Sequence, residues 1–231
     1  MKRDKQMSVP NEASPSLRRR RVLAVLASVP AISALGACER LIPGSGPPPT
    51  LYTLTPKSTF AADLPRVQWQ LVLETPFAPA TLNTVRIGIM PAPTIFEYYA
   101  RSSWSDRAPL MVQTLMTESF ENTGKIVSVG RESIGLRADF VLKTELREFQ
   151  MEAFRDPPQV QVRIQAKLVK MPEREIVAAS DFGAWEEANP DEMQQVIRAF
   201  DLALGKVLKG LIEWTLQSGE AVARQRAETS S

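Results

Sequence analysis

The sequence predicts an α+β protein, a two-layer sandwich in which a mixed, mostly antiparallel sheet carries two helices on one face. Segments of alternating apolar and polar residues, which are typical of strands, recur in both halves of the chain. Two other segments have the apolar spacing and end signals of helices, and the second half has the pattern of an antiparallel meander. Two helices on one face of such a sheet make a two-layer architecture.

The first half of the chain contains two clear strand patterns. Apolar residues recur at every second position over residues 67–73 and again over residues 85–89. Pro91 is expected to end the second strand, because proline cannot donate to a strand ladder. Shorter strands are expected at residues 51–54 and 126–129.

Two helices are predicted from end signals and apolar spacing. The first is capped by Ser105 or Asp106, has Pro109 in its first turn and stops at Gly124. The second is capped by Asn189 and carries an apolar stripe with nearly 3.6-residue spacing. This stripe comprises Met193, Val196, Ile197, Phe200, Leu204, Val207, Leu208, Leu211 and Ile212.

Between the helices, three strand patterns predict an antiparallel meander with one solvated face. Alternation is strict over residues 160–168, and the flanking strands are expected at residues 140–153 and 176–185. The apolar phase slips within the first of these strands. A bulge near Arg147 or Glu148 would explain the slip.

The N-terminal segment is typical of an export signal. Basic residues end in four arginines at positions 18–21, and residues 22–35 form a short apolar run. This run is shorter than the roughly 20 apolar residues that a membrane span needs. The arginines also resemble a twin-arginine signal, so two export routes stay open.

The stretch LGAC that follows resembles a bacterial lipobox, which comprises Leu35, Gly36, Ala37 and Cys38. The thiol of Cys38 would receive a diacylglycerol, and several acyl chains together anchor a protein stably. In enteric bacteria, an Asp directly after the lipidated cysteine retains a lipoprotein in the inner membrane. This chain has Glu39 there, which indicates the outer membrane, and the periplasmic face of the inner membrane is the alternative location. A free or buried cysteine after an ordinary signal peptide is the other interpretation.

The sequence therefore divides into a signal peptide at 1–37, the lipidated cysteine with a Pro/Gly tether at 38–50, a folded domain at 51–217 and a disordered polar tail at 218–231. From Cys38 onward the chain has 21 basic and 24 acidic residues, a net charge of −3. This balance argues against a nucleic-acid partner.

The residues that would carry chemistry are largely missing. The chain has no histidine, so the usual general base and any Cys/His catalytic pair or zinc site are excluded. The sequence contains neither a GxSxG motif nor a glycine-rich phosphate loop after a strand. We expect no enzyme activity, no cofactor and no metal site.

The segment IFEYYARSSW at residues 95–104 is the strongest candidate for an interaction surface. It lies between a predicted strand and helix, and it either covers the end of the sheet or presents an apolar patch to a partner protein or acyl chain. Trp214 lies off the stripe of the last helix and could extend such a surface. The candidate surface residues are Phe96, Tyr98, Tyr99, Trp104 and Trp214.

Several motifs follow one another in order along the chain. After the lipobox and tether come LYTLTP at 51–56, VRIGIMPAP at 85–93, YYARSSW at 98–104, ADFVLKTELREFQ at 138–150 and a closing helix that ends LIEWTL. This ordered set resembles the ABC-type transport auxiliary lipoprotein family, which includes the paraquat-inducible C-type lipoproteins.

The resemblance implies a non-enzymatic helper of an intermembrane lipid transporter. In such systems an inner-membrane ABC transporter is associated with an MCE-domain protein that forms rings or tubes across the periplasm, and the lipoprotein meets the end of that conduit at the outer membrane. The resemblance implies docking to the MCE-domain protein, contact with phospholipid and formation of a homo-oligomer. A structural or assembly lipoprotein of the envelope without lipid cargo is the first alternative, and a protein that binds a soluble substrate is the second.

Overall fold

The computed structural model describes residues 48–131 and 137–229, in which eight strands form one curled mixed sheet beside two helices. The strands are β1 (Thr50–Tyr52), β2 (Val67–Leu73), β3 (Arg86–Ala92), β4 (Ile95–Trp104), β5 (Ile126–Arg131), β6 (Phe140–Glu152), β7 (Gln159–Lys170) and β8 (Glu175–Glu187). The helices are α1 (Ala108–Asn122) and α2 (Met193–Thr229).

Strand β6 organises the sheet. One of its edges pairs with β7 along its length, while the other is shared by β2 near its start and β3 near its end. Four of the seven strand pairings among the described residues are parallel, so the prediction of a mostly antiparallel sheet is wrong. The antiparallel pairs join neighbours in sequence, whereas the parallel pairs join distant segments that no local pattern specifies.

The sheet curls into a half-barrel rather than the flat layer of the predicted two-layer sandwich. The α+β class is confirmed. The predicted meander β6–β7–β8 is also confirmed, and the register of β6 against β7 shifts between Leu146 and Glu148. Arg147 is therefore the extra residue of the expected bulge.

The core lies between the sheet and α2. The apolar stripe predicted for this helix is buried or half-buried along its whole length, against β7 and β8. At its centre Trp104, Phe149 and Phe200 pack together with ring centroids 4.9–5.4 Å apart. Aromatic pairs at such distances add about 0.5–1.5 kcal/mol each beyond the burial of their area.

A strap at residues 53–64 joins β1 to β2 and is bonded to both helices. The amide of Thr55 donates to Asp201 of α2 over 2.6 Å, and the amide of Lys57 donates to Ser119 of α1 over 2.8 Å. Leu54 and Leu64 are buried near its two ends. The strap thus fixes the start of the domain to its helices.

Two strand predictions from the first half need correction. Strand β3 continues through Pro91 to Ala92 and forms a hairpin with β4, so the segment of residues 95–104 is a full strand. Pro91 lies where the β3–β4 register is irregular, between the pairs at Ile89 and Ala92. A missing donor is tolerated at such a position.

Helix α2 also differs from its prediction at both ends. Asn189 accepts a bond from the Asp191 amide over 3.1 Å in a turn that precedes the helix, which begins at Met193. The tail predicted as disordered from residue 218 is helical through Thr229. The reason is burial, because Val222 and Ala223 still contact the core.

Candidate functional site

The predicted lipobox residues Leu35, Gly36, Ala37 and Cys38 lie outside the described residues. Lipidation therefore stays a prediction from sequence. The described chain starts just before β1, a three-residue edge strand that pairs in parallel with the end of β4. Neither described helix combines the length and apolar character that a membrane span requires.

The candidate aromatic surface is divided between the two faces of the sheet. Tyr98 and Gln150 both lie directly opposite Gly88, and this places them on the face of the sheet that neither α1 nor α2 covers, here called the helix-free face. Tyr99 and Trp104 point to the helices instead. A bulge around Arg101, whose φ of 56° lies in the left-handed region, separates Tyr98 from Trp104 in the register with β3.

On the helix-free face, Phe96 and Tyr98 form an edge-to-face pair with ring centroids 5.5 Å apart. The guanidinium carbon of Arg86 lies 3.9 Å from the centre of the Tyr98 ring, and the Tyr98 hydroxyl donates to the carbonyl of Thr81 over 3.1 Å. Phe96 lies over Gly88, where an added Cβ would approach its ring to 2.5 Å. This half-exposed pair is a rigid aromatic surface.

Trp104 is not part of any surface, because only 1% of it is exposed. Tyr99 donates its hydroxyl to the carbonyl of Pro190 over 2.9 Å, and burial, together with the charge of Asp191, raises the pKa of this phenol. Trp214 packs edge-to-face on Phe182 at 5.5 Å. These three predicted surface residues therefore cover the core or the start of α2.

The middle of the helix-free face carries paired charges. Its ion pairs are Lys143–Glu74, Arg147–Glu145, Arg147–Asp181, Arg163–Glu148 and Arg155–Glu152. Arg147, the bulge residue, also donates to Gln165 over 2.7 Å and so links three strands. The charges compensate one another within this part of the sheet.

A concavity of about 610 Å³, the Phe96 pocket, lies at one end of this face and is lined by Phe96, Met90, Phe154 and Glu152 among others. The buried carboxylate of Glu152 accepts from Gln150 over 3.3 Å and from Arg155 over 2.8 Å. This charge is already satisfied within the protein, and Phe96, Met90 and Phe154 form the apolar part of the pocket lining.

A second concavity of about 780 Å³, the valine pocket, lies at the other end of the face. Val72, Val141 and Val169 form its floor, as a small apolar cluster separate from the main core. Arg137 and Arg174 stand among its lining residues. Sequence reasoning missed this site, although each valine extends an apolar run to the polar face, as at residues 71–73.

Within residues 48–131 and 137–229, no group of three or more acidic or cysteine side chains is placed to hold a metal ion. The candidate sites of the described domain are surfaces and concavities without a nucleophile–base pair. The fold and these sites define an α+β domain with a concavity at each end of its helix-free face.

A family model for the ABC-type transport auxiliary lipoprotein component matches residues 52–211. The match covers more than half of the chain, so the protein belongs to this family, whose description is that of a transport component and not of an enzyme. The family assignment made from the ordered motifs is confirmed.

One curated relative resembles the chain in sequence, and solved structures resemble it in fold. Uncharacterized protein bll6063 from Bradyrhizobium diazoefficiens is 26% identical over 183 residues, which are 79% of this chain and 49% of that protein. The chain thus spans about half the length of this curated relative. The crystal structure of protein XCC0632 from Xanthomonas campestris, 28% identical, matches with a TM-score of 0.70 over 76% of this chain and 99% of that one.

A second crystal structure, of an uncharacterized protein, matches with a TM-score of 0.52 at 12% identity, over 78% of this chain and 99% of that one. At this identity the likeness concerns the fold alone.

Proposed function

We propose that this protein is a lipid-anchored periplasmic component of an ABC transport system that moves lipids with an MCE-domain protein. The observation that carries the proposal is the family match over residues 52–211 with the lipobox-like sequence LGAC upstream of it, at residues 35–38. The acylated Cys38 would hold the domain on the periplasmic face of the outer membrane. The domain itself would dock to the conduit that the MCE-domain protein forms and would align it.

The position of β1 supports this arrangement. Eleven residues lie between Cys38 and Thr50, the first residue of β1, so the Cα atoms of these two residues are at most about 40 Å apart. An anchor at Cys38 would therefore keep the β1–β4 edge of the sheet within that distance of the membrane. The strap bonded to α1 and α2 would transmit this constraint to the whole domain.

The pair Phe96 and Tyr98 is our candidate for contact with the MCE-domain protein. It lies beside Ile95, which is 48% exposed, on the β3–β4 hairpin next to the Phe96 pocket. Aromatic side chains in half-open surroundings are enriched at protein interfaces. A second copy of the chain is the alternative occupant and would make a homo-oligomer.

Cell fractionation tests the anchor. We expect the wild-type chain in the outer-membrane fraction and Cys38→Ala in the soluble periplasm, because the variant lacks the thiol that is acylated. Ser45→Ala, in the same tether, is the control and should stay with the membrane. Retention of Cys38→Ala in the membrane after signal removal would contradict the anchor.

In-cell crosslinking followed by affinity purification tests the partner. Recovery of an MCE-domain protein with the wild-type chain, and its loss with Phe96→Ala/Tyr98→Ala, would support both the system and the docking surface. Val127→Ala, at an exposed residue of β5, is the matched control. Recovery of other envelope proteins only, without phospholipid, would favour the structural lipoprotein instead.

A further inference from the structure

The valine pocket has no part in the docking surface proposed above. Its floor is unusual for the helix-free face, which is otherwise polar around it. Val72, Val141 and Val169 are only 5–9% exposed, although they lie on the side of the sheet that neither described helix covers. Met171 and Ala138 pack against them and extend the apolar surface.

The size and shape of the pocket suit a small ligand. Its volume of about 780 Å³ lies within the roughly 300–1,000 Å³ typical of small-molecule sites. Ile176 borders the pocket and is 57% exposed, so the apolar floor continues to an open edge. A chain of methylene groups would bury this surface without leaving a polar group unpaired.

The lining of the pocket also carries two cations that form no ion pair within the part of the chain that the structure describes. Lys143 is paired with Glu74 over 2.6 Å, whereas Asp139, whose carboxylate accepts from the amide of Gln70 over 2.8 Å, keeps its negative charge, so the three basic and two acidic lining residues leave a net charge of +1. By contrast, neither Arg137 nor Arg174 forms an ion pair with any residue that the structure describes. Two unpaired guanidinium groups beside an apolar floor favour an anion that carries an apolar tail.

The backbone at Arg174 supports a role for its side chain. This residue has a φ of 59° in the turn between β7 and β8, a left-handed conformation that glycine or asparagine adopts at lower cost. The turn alone does not explain an arginine there. Arginine binds phosphate oxygens through two parallel donors, which an ammonium group cannot do.

We propose that the valine pocket binds an anionic phospholipid, with the phosphate on Arg137 and Arg174 and part of one acyl chain on the valine floor. The inference deepens the proposed function and rests on it for the source of the lipid. Under this proposal the domain contacts lipid at the valine pocket and also docks to its protein partner.

Native mass spectrometry of the full chain in a nonionic detergent tests the proposal, with lysophosphatidylglycerol as the probe. We expect a bound adduct that Arg137→Ala/Arg174→Ala weakens by about tenfold or more, since two charge-assisted contacts are lost. Arg198→Ala/Lys209→Ala removes the same charge from exposed positions on α2 and should leave binding unchanged. Ile176→Gln should weaken binding to a smaller extent, while Val127→Gln should not.

Several results would overturn the site. If the Arg137→Ala/Arg174→Ala variant bound the lipid as well as the wild type, the arginines would not be part of the site. If lysophosphatidylcholine bound as well as lysophosphatidylglycerol, the site would have no preference for a net negative charge. If inorganic phosphate bound as tightly as the lipid, the apolar floor would contribute nothing to binding. Binding to phosphatidylglycerol vesicles is measured separately. If the double variant lost this binding but still bound lysophosphatidylglycerol in detergent, the arginines would face a membrane surface and not the pocket. The assay contains no transporter, so its failure would leave recovery of the MCE-domain protein unaffected.

Discussion

Along β7, the side chains of Val160, Val162 and Ile164 are fully buried on the face that α2 covers, whereas Gln161 and Arg163 between them lie on the helix-free face. Successive side chains of the same strand therefore lie in two different environments, one on each face of the sheet. Most of the buried side chains on the helix-covered face are apolar, and the helix-free face carries compensated charges with a pocket at each end.

This difference separates stability from recognition. Burial of apolar area drives folding, while partly exposed ion pairs contribute little. The helix-covered face should therefore hold most of the folding free energy. The helix-free face can then vary its side chains for binding at small cost to stability.

Two tryptophans on opposite faces give the strongest test of this comparison. Trp104→Ala should lower the free energy of unfolding by about 3–5 kcal/mol, because the side chain is 1% exposed between Phe149 and Phe200. Trp185→Ala, at a residue that is 53% exposed on β8, should cost less than about 1 kcal/mol. Urea denaturation monitored by circular dichroism measures both. Similar losses would mean that the two faces share stability.

Two glycines of α2 test how closely the helix-covered face is packed. A Cβ at Gly219 would lie 2.6 Å from Cζ2 of Trp69, whereas a Cβ at Gly205 meets nothing closer than 3.9 Å. Gly219→Ala should therefore cost about 1–3 kcal/mol through overpacking, and Gly205→Ala should stabilise by about 0.5–1 kcal/mol through helix propensity. Thermal unfolding and the near-ultraviolet signal of Trp69 report the result. A stabilised Gly219→Ala would place α2 away from Trp69.

The smallest effect is expected for the charges of the helix-free face. Arg147 and Asp181, joined over 3.0 Å, keep 33% and 40% of their side chains exposed. A double-mutant cycle with alanine at both positions should give a coupling of about 0.2–1 kcal/mol that shrinks in 1 M salt. The cycle for Arg224 and Glu220 on α2 is the control. A coupling that exceeded the effect of Gly219→Ala would assign a structural role to these charges.

Local patterns in the sequence predicted the elements whose partners are neighbours in the chain. Strict alternation located β7, the phase slip located the bulge that the structure places at Arg147, and the apolar stripe located α2. Each of these signals depends on side chains within one element. They were sufficient because the spacing of residues within a hairpin or an amphipathic helix specifies its geometry.

Elements whose environment comes from distant segments were predicted poorly. Strand β4 was missed although β3 is its neighbour in the chain, because the bulge at Arg101 interrupts its alternation and its other partner, β1, is distant in sequence. For the same reason Trp104 was assigned to a surface, although Phe149 and Phe200 from two other elements bury it. The valine pocket was missed because its floor joins three strands.

The sequence by itself determined the family, the α+β class, the meander, the absence of histidine chemistry and the hypothesis of an anchor at Cys38, since these depend on composition and local order. The tertiary structure alone decided the parallel pairings, the burial of Trp104 and the meeting of Arg137 and Arg174 at one pocket. The physical reason is that β6 offers a single edge to two strands, and only the folded sheet determines which side chains share a face.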